Sequence, residues 1–237
     1  MNRMLVALSA SVAALALAPA ANATILLPGT SGVSFSLFDP ATQGTLLGSI
    51  DSGTTGATTY TGALRSAVYR NTLGTLDFYY QVAVATINEG DEVFNLTASA
   101  FTGFTIDALV SALDPDGVGF FTAANNPNLQ GPPGSTTTAS RNGSGLVIAA
   151  NFGDNGLEAA GQTSATYIFR TNATDFARGG TFTTQDGSVA QRANFSPIGA
   201  PVPEPATWAM MLVGFGMIGF GLRRREKVTT RVRYSMA

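Results

Sequence analysis

Leu76-Asp77-Phe78-Tyr79-Tyr80-Gln81-Val82-Ala83-Val84-Ala85 is the most regular stretch of the chain. Leu76, Phe78, Tyr80, Val82 and Val84 alternate with Asp77, Tyr79, Gln81, Ala83 and Ala85. A period of two places successive side chains on opposite faces, and aromatic and β-branched residues fit a pleated surface. The stretch therefore predicts a long, half-buried β-strand. Leu96, Ala98 and Ala100, preceded by Phe94, alternate with Asn95, Thr97 and Ser99. Ala165, Tyr167 and Phe169 alternate with Thr166 and Arg170, although Ile168 interrupts the polar face. The apolar run Leu146 to Ala150 suits a central strand. Weaker candidates are Val33 to Phe38, Leu64 to Tyr69, Thr181 to Thr183 and Val189 to Phe195.

Turn-forming clusters separate these runs: Asn88 to Asp91, Asp114 to Gly117, Gly131 to Gly134, Asn142-Gly143 and Asp186-Gly187. Eight or more short strands without a helix-period segment between them predict an all-β body, an antiparallel jelly-roll-like β-sandwich, over 24–199. The stretch from Ala123 to Thr138, with Pro127, Pro132 and Pro133, reads as a long loop.

The two ends differ from this body. Residues 1–23 have the form of a secretory signal peptide: Arg3, an apolar Met4 to Ala18, and a small-x-small site at Ala21-Asn22-Ala23, with cleavage expected after Ala23. Near the other end stand Pro201, Pro203, Glu204 and Pro205, then an uncharged run from Ala206 to Leu222, then Arg223-Arg224-Arg225. Prolines hold the chain extended and lack the backbone N–H. The run of roughly 17 residues covers about 26 Å as a helix, at the lower limit for a membrane crossing. Clustered arginines stay on the cytoplasmic side, and Trp208 suits the headgroup zone opposite. The expectation is one transmembrane helix over 206–222, the body outside, and a basic cytoplasmic tail over 226–237.

Composition restricts the chemistry. The chain has no cysteine and no histidine, so disulfides, thiol catalysis and the commonest base and metal ligand are absent. Its one lysine, Lys227, lies beyond the arginine cluster. Between Thr24 and Val202 about thirteen acids oppose about six arginines. An acidic body is a poor nucleic-acid ligand, because phosphate contacts need cations. Gly143-Ser144-Gly145 is not a nucleophile elbow. Asp114-Pro115-Asp116-Gly117 resembles part of a calcium loop, but the distal glutamate is missing and an Asp/Gly turn is the simpler reading. Glu89, Asp91 and Glu92 read as an acidic hairpin tip. Tyr79 and Phe101 read as exposed, with faces suited to stacking on sugars; packing on the sheet is the commoner role for such residues. No cofactor is expected and no catalytic residue is assigned.

Pro203-Glu204-Pro205, Trp208-Ala209-Met210-Met211, Gly214-Phe215-Gly216, Gly219-Phe220-Gly221 and the arginine cluster together resemble the PEP-CTERM sorting signal, in its PEPxxWA variant, of Gram-negative bacteria. The tail after Arg225 is longer than such signals usually carry. The resemblance implies an exported, non-catalytic envelope or extracellular protein. Its partners would be exosortase, signal peptidase, the lipid bilayer and an extracellular polysaccharide. Pro203, Glu204, Pro205, Trp208 and Ala209 would form the sorting motif, and Arg223, Arg224 and Arg225 the stop. The body resembles those often attached to this signal at Arg70 to Val82, Ala100 to Thr105, Gly161 to Thr166 and Asp186-Gly187. The alternatives are a tethered carbohydrate- or calcium-binding module and a two-carboxylate envelope hydrolase.

Overall fold

A computed structural model describes residues 24–54, 57–126, 136–153, 156–199 and 205–223, with side chains of the last segment described over 210–220. In chain order come β1 (Val33–Ser34), β2 (Ser36–Leu37), a 3-10 turn (Pro40–Thr42), β3 (Thr45–Gly53), β4 (Tyr60–Arg70), β5 (Leu76–Ile87) and β6 (Asn95–Ser99). They are followed by β7 (Ile106–Ser111), β8 (Thr138–Arg141), β9 (Val147–Asn151), β10 (Thr166–Thr171), β11 (Asp175–Asp186), β12 (Ser188–Ile198) and a helix, α1 (Pro205–Arg223).

The strands form two six-stranded sheets, in the orders β1-β8-β9-β6-β11-β12 and β2-β7-β10-β5-β4-β3. Side chains from both sheets meet in one core. Tyr80 of β5 packs edge-on against Phe182 of β11 at 5.1 Å, and Tyr167 of β10 stacks on Phe152 at 5.6 Å. Polar bridges cross the same layer: the Asn194 amide of β12 donates to the Tyr80 hydroxyl at 3.0 Å, and the Ser66 hydroxyl donates to Asn194 at 2.8 Å. The two-sheet, mostly antiparallel β architecture is thus the one expected. The jelly-roll detail is not what is seen. An eight-stranded jelly roll has no place for the extra hairpins β3–β4 and β11–β12 that widen each sheet here, and β2 runs parallel to β7.

The alternating stretch folds as β5, but it is not half-buried. Leu76, Phe78, Tyr80, Val82 and Val84 enter the inter-sheet core. Asp77, Tyr79 and Gln81, on the other face, are also buried. The segment 112–126 folds back over that face. Phe121 stacks on Tyr79 at 5.8 Å, Phe38 meets its edge, and the Gln81 amide donates to the Thr122 carbonyl at 2.6 Å. Ile168 joins the same second cluster, which explains why an apolar residue interrupts the polar alternation of β10. Tyr79 and Phe101 are therefore not exposed stacking platforms; both are fully buried, and Phe101 packs edge-on against Phe78 at 5.4 Å. Among the described residues, the Tyr79 hydroxyl has no hydrogen-bond partner. Tyr79→Phe should leave stability unchanged or raise it by up to about 1 kcal/mol, read from urea midpoints, because it removes a buried unsatisfied group.

The other expected strands fall within β1 and β2, β4, β6, β9, β10, β11 and β12, and β9 is central between β8 and β6. Three strands carried no signal. Exposed residues predominate in β3, an edge strand, while β7 and β8 are only 6 and 4 residues long. The expected loop from Ala123 to Thr138 is described only at its ends, and 127–135 lie outside the described residues. Residues 1–23 and 224–237 do so as well, so the signal peptide with Ala21 and Ala23, and the basic tail, are not part of this description.

Candidate functional site

The C-terminal run forms α1 over Pro205–Arg223, 19 residues. Proline at the first helical position loses nothing, since its missing N–H has no intrahelical partner there. The helix begins at Pro205, and Trp208, Ala209 and Arg223 are part of its backbone. Pro203, Glu204, Arg224 and Arg225 lie outside the described residues. Met210, Met211, Leu212 and Val213 are consecutive, point in successive directions around the helix, and are all exposed. Phe215, Met217, Ile218 and Phe220 are exposed too. A helix apolar on every side has no solvated face to present to water. Among the described residues, no helix is long and apolar enough to cross a membrane. The expected span over 206–222 is seen as a helix, whose 19 residues reach about 28 Å at ~1.5 Å per residue, close to the ~30 Å hydrocarbon core.

In the body, the Asp114-Pro115-Asp116-Gly117 turn is closed by its own backbone. Asp114 accepts N–H bonds from Gly119 at 2.9 Å and Asp116 at 3.2 Å, and Asp116 accepts from Val118 at 3.1 Å and from the Tyr69 hydroxyl at 2.8 Å. Burial pushes the Asp114 carboxyl upward, but the donated hydrogen bonds outweigh it and leave its pKa lowered. Burial and the neighbouring Asp114 carboxyl raise that of Asp116. At the acidic tip, Glu92 accepts from the Gly156 N–H and its own N–H donates to Asp186 at 3.0 Å, so it ties three loops together. Among the described residues, no group of three or more histidine, cysteine, aspartate or glutamate side chains is placed to hold a metal ion.

The most polar buried arrangement runs across three strands on the outer face of the second sheet. Arg170 of β10 lies opposite Asp77 of β5 on one side and Asp107 of β7 on the other. Its guanidinium donates to both Asp77 oxygens, at 3.0 to 3.3 Å, and to the Thr42 hydroxyl at 2.8 Å. Asn71 supplies a further donor to Asp77 at 2.7 Å. Nothing in the sequence marked this set, because its members are 93 residues apart and alternate with core positions. Asp107 is half-buried; burial raises its pKa, Arg170 partly offsets this, and Asp77 adds to it. A carboxyl with a raised folded pKa binds protons more readily in the native state, so its contribution to stability falls as pH rises through that pKa. Asp107→Asn should therefore stabilise the body at pH 7, and the gain should shrink on acidification. Urea unfolding at several pH values checks this; a gain that grows toward acid contradicts it.

The comparisons direct attention back to the C-terminus. The family model for the PEP-CTERM protein-sorting motif matches residues 201–225. The chain carries a PEP-CTERM sorting motif. The PEP-CTERM motif implies export, a membrane-anchored sorting signal, and processing by exosortase, a membrane protease. It begins two residues after Gly199, where β12 has just ended, and runs through α1. No curated protein and no solved structure matches the chain.

Proposed function

We propose that this is a non-catalytic exported protein held briefly in the inner membrane by its PEP-CTERM segment, then released by exosortase to the outer envelope or the extracellular matrix. A signal peptide over 1–23 starts export, and signal peptidase leaves Thr24 as the first residue. The segment 206–222 then enters the bilayer, with Arg223, Arg224 and Arg225 on the cytoplasmic side. Trp208 sits at the outer headgroups, and the arginines reach the interface to absorb the short length of the helix. Pro203, Glu204 and Pro205 lie just outside, where the protease acts.

One observation carries this reading: the match to the PEP-CTERM motif coincides with a helix whose large apolar side chains are exposed on every side. Such a surface is stable in lipid and unstable in water. Intact-mass measurement of the protein from culture medium, outer membrane and inner membrane tests it. The expected mature chain begins at Thr24 and has lost the helix, and the inner membrane holds a longer form. A mature protein that retains residues through Ala237 in every fraction overturns it. Association with the producer's exopolysaccharide belongs to the same reading, and co-sedimentation of the mature protein with that polymer tests it.

A further inference from the structure

The strand directions place several loops at one end of the sandwich, the end from which the chain leaves for α1. Ile198, the last residue of β12, pairs with Asp175 at the start of β11, and the Thr174 hydroxyl donates to the Gly199 carbonyl. The β4–β5 turn reaches the same place, because Arg70 donates to the Thr174 carbonyl and the Leu76 N–H to the Ala173 carbonyl. The loop before β7 joins through the Thr105 N–H bonded to Asn172. The β8–β9 turn joins through the Phe101 N–H bonded to the Leu146 carbonyl. The N-terminal segment arrives beside it, with the Leu26 N–H on the Ile106 carbonyl.

This end exposes Leu27, Leu73, Leu146 and Ile198, with Leu73 74% exposed. The loops named here carry Arg70, the buried Arg141 and one exposed carboxylate, Asp175, while Asp77, Asp107 and Arg170 lie just inside the strands. The opposite end is different. There the β5–β6 loop, the segment before β10 and the β11–β12 turn gather Glu89, Asp91, Glu92, Glu158 and Asp186, joined through Glu92 to Gly156 and Asp186. No arginine lies in those described loops. The body thus has an apolar, nearly uncharged end and an acidic end.

From Gly199 to Pro205 the chain spans at most about 20 Å even when fully extended. While α1 is in the bilayer, as proposed above, the exit end cannot move far from the membrane surface. We infer that the exit end of the sandwich rests on the lipid headgroup surface, with Leu27, Leu73, Leu146 and Ile198 inserted among the headgroups and the acidic end turned away. The occupant of this patch is a lipid surface and not a second protein, because the short tether delivers this end to the bilayer. With one exposed carboxylate in its loops, Asp175, it meets less repulsion from anionic lipid than the opposite end would. This inference rests on the membrane-held stage of the proposed function.

The chain has no cysteine, so single labels are unambiguous. Full-length Leu73→Cys, Leu146→Cys, Glu89→Cys and Glu158→Cys variants, each carrying a fluorescent label, are reconstituted into phosphatidylethanolamine/phosphatidylglycerol vesicles that contain a headgroup quencher. Flotation after a carbonate wash reports insertion separately from label depth. The inference expects the chains to float, with strong quenching at 73 and 146 and none at 89 and 158. Adding Ile198→Glu and Leu27→Glu to the Leu73→Cys chain should lower its quenching about tenfold or more without changing flotation, since each apolar side chain withdrawn from water contributes up to about tenfold. Floating chains in which all four labels are quenched equally, or none is, overturn the inference and leave the anchoring intact. Chains that do not float overturn both.

Discussion

Replacing Pro203-Glu204-Pro205 with three alanines should abolish release and leave a full-length species in the inner membrane. The match to the sorting motif begins at Pro201 and includes all three positions. The replacement acts on the backbone as well as on the side chains. Pro203 and Pro205 cannot donate backbone hydrogen bonds, and each proline disfavours helix at the residue before it. Alanine, the best helix former, would lift that restriction and let α1 propagate toward the body. Loss of Glu204 removes the charged group of the motif. The body would still fold, since β12 ends at Ile198 with its pairing to Asp175 complete. Immunoblots of membrane and medium, with intact mass, should show the longer form only. Unchanged processing would show that the motif has no sorting role in this chain.

The second large effect falls on stability. Arg170→Ala should cost about 3–5 kcal/mol, because it leaves the Asp77 carboxylate buried without its cation. Asp77 is fully buried, and the Arg170 side chain is 17% exposed. Burial alone would lower the Arg170 pKa, but its bonds to Asp77 outweigh that, so the guanidinium stays charged. Arg170 also bonds Thr42, the last residue of the 3-10 turn, and so holds that turn against the outer face of the sheet. Urea midpoints should fall with an unchanged slope, since the surface exposed on unfolding is the same. The double variant Asp77→Asn/Arg170→Gln should lose much less than the sum of the two single changes, because no unpaired charge remains. Additive losses would show that the two groups are not coupled.

Much of the architecture could be read along the chain because it rests on local periodicity. Leu76 to Val84, Leu96 to Ala98 and Tyr167 to Phe169 alternate as a strand facing one core must. The periodicity says which residues share a face and is silent on what covers the other one. Asp77 and Gln81 look solvent-facing, yet the segment 112–126 buries that face around them. Short or edge strands such as β8 and β3 gave no signal, because little of their surface meets the core. Strand order was likewise out of reach, since the pairing of β6 with both β9 and β11 is a choice among distant partners.

The PEP-CTERM motif was legible along the chain, because the match over 201–225 depends on residue order and not on contacts with the body. The sequence by itself therefore determined the β class, the absence of thiol and imidazole chemistry, and the PEP-CTERM motif, each set by composition or by neighbours within one element. Only the tertiary structure decided that Tyr79 and Phe101 are interior, that Arg170 joins Asp77 across 93 residues, and that the apolar and acidic loops separate to opposite ends. Those facts depend on which strands pair and which loops meet, and pairing is selected by the burial available to the whole chain.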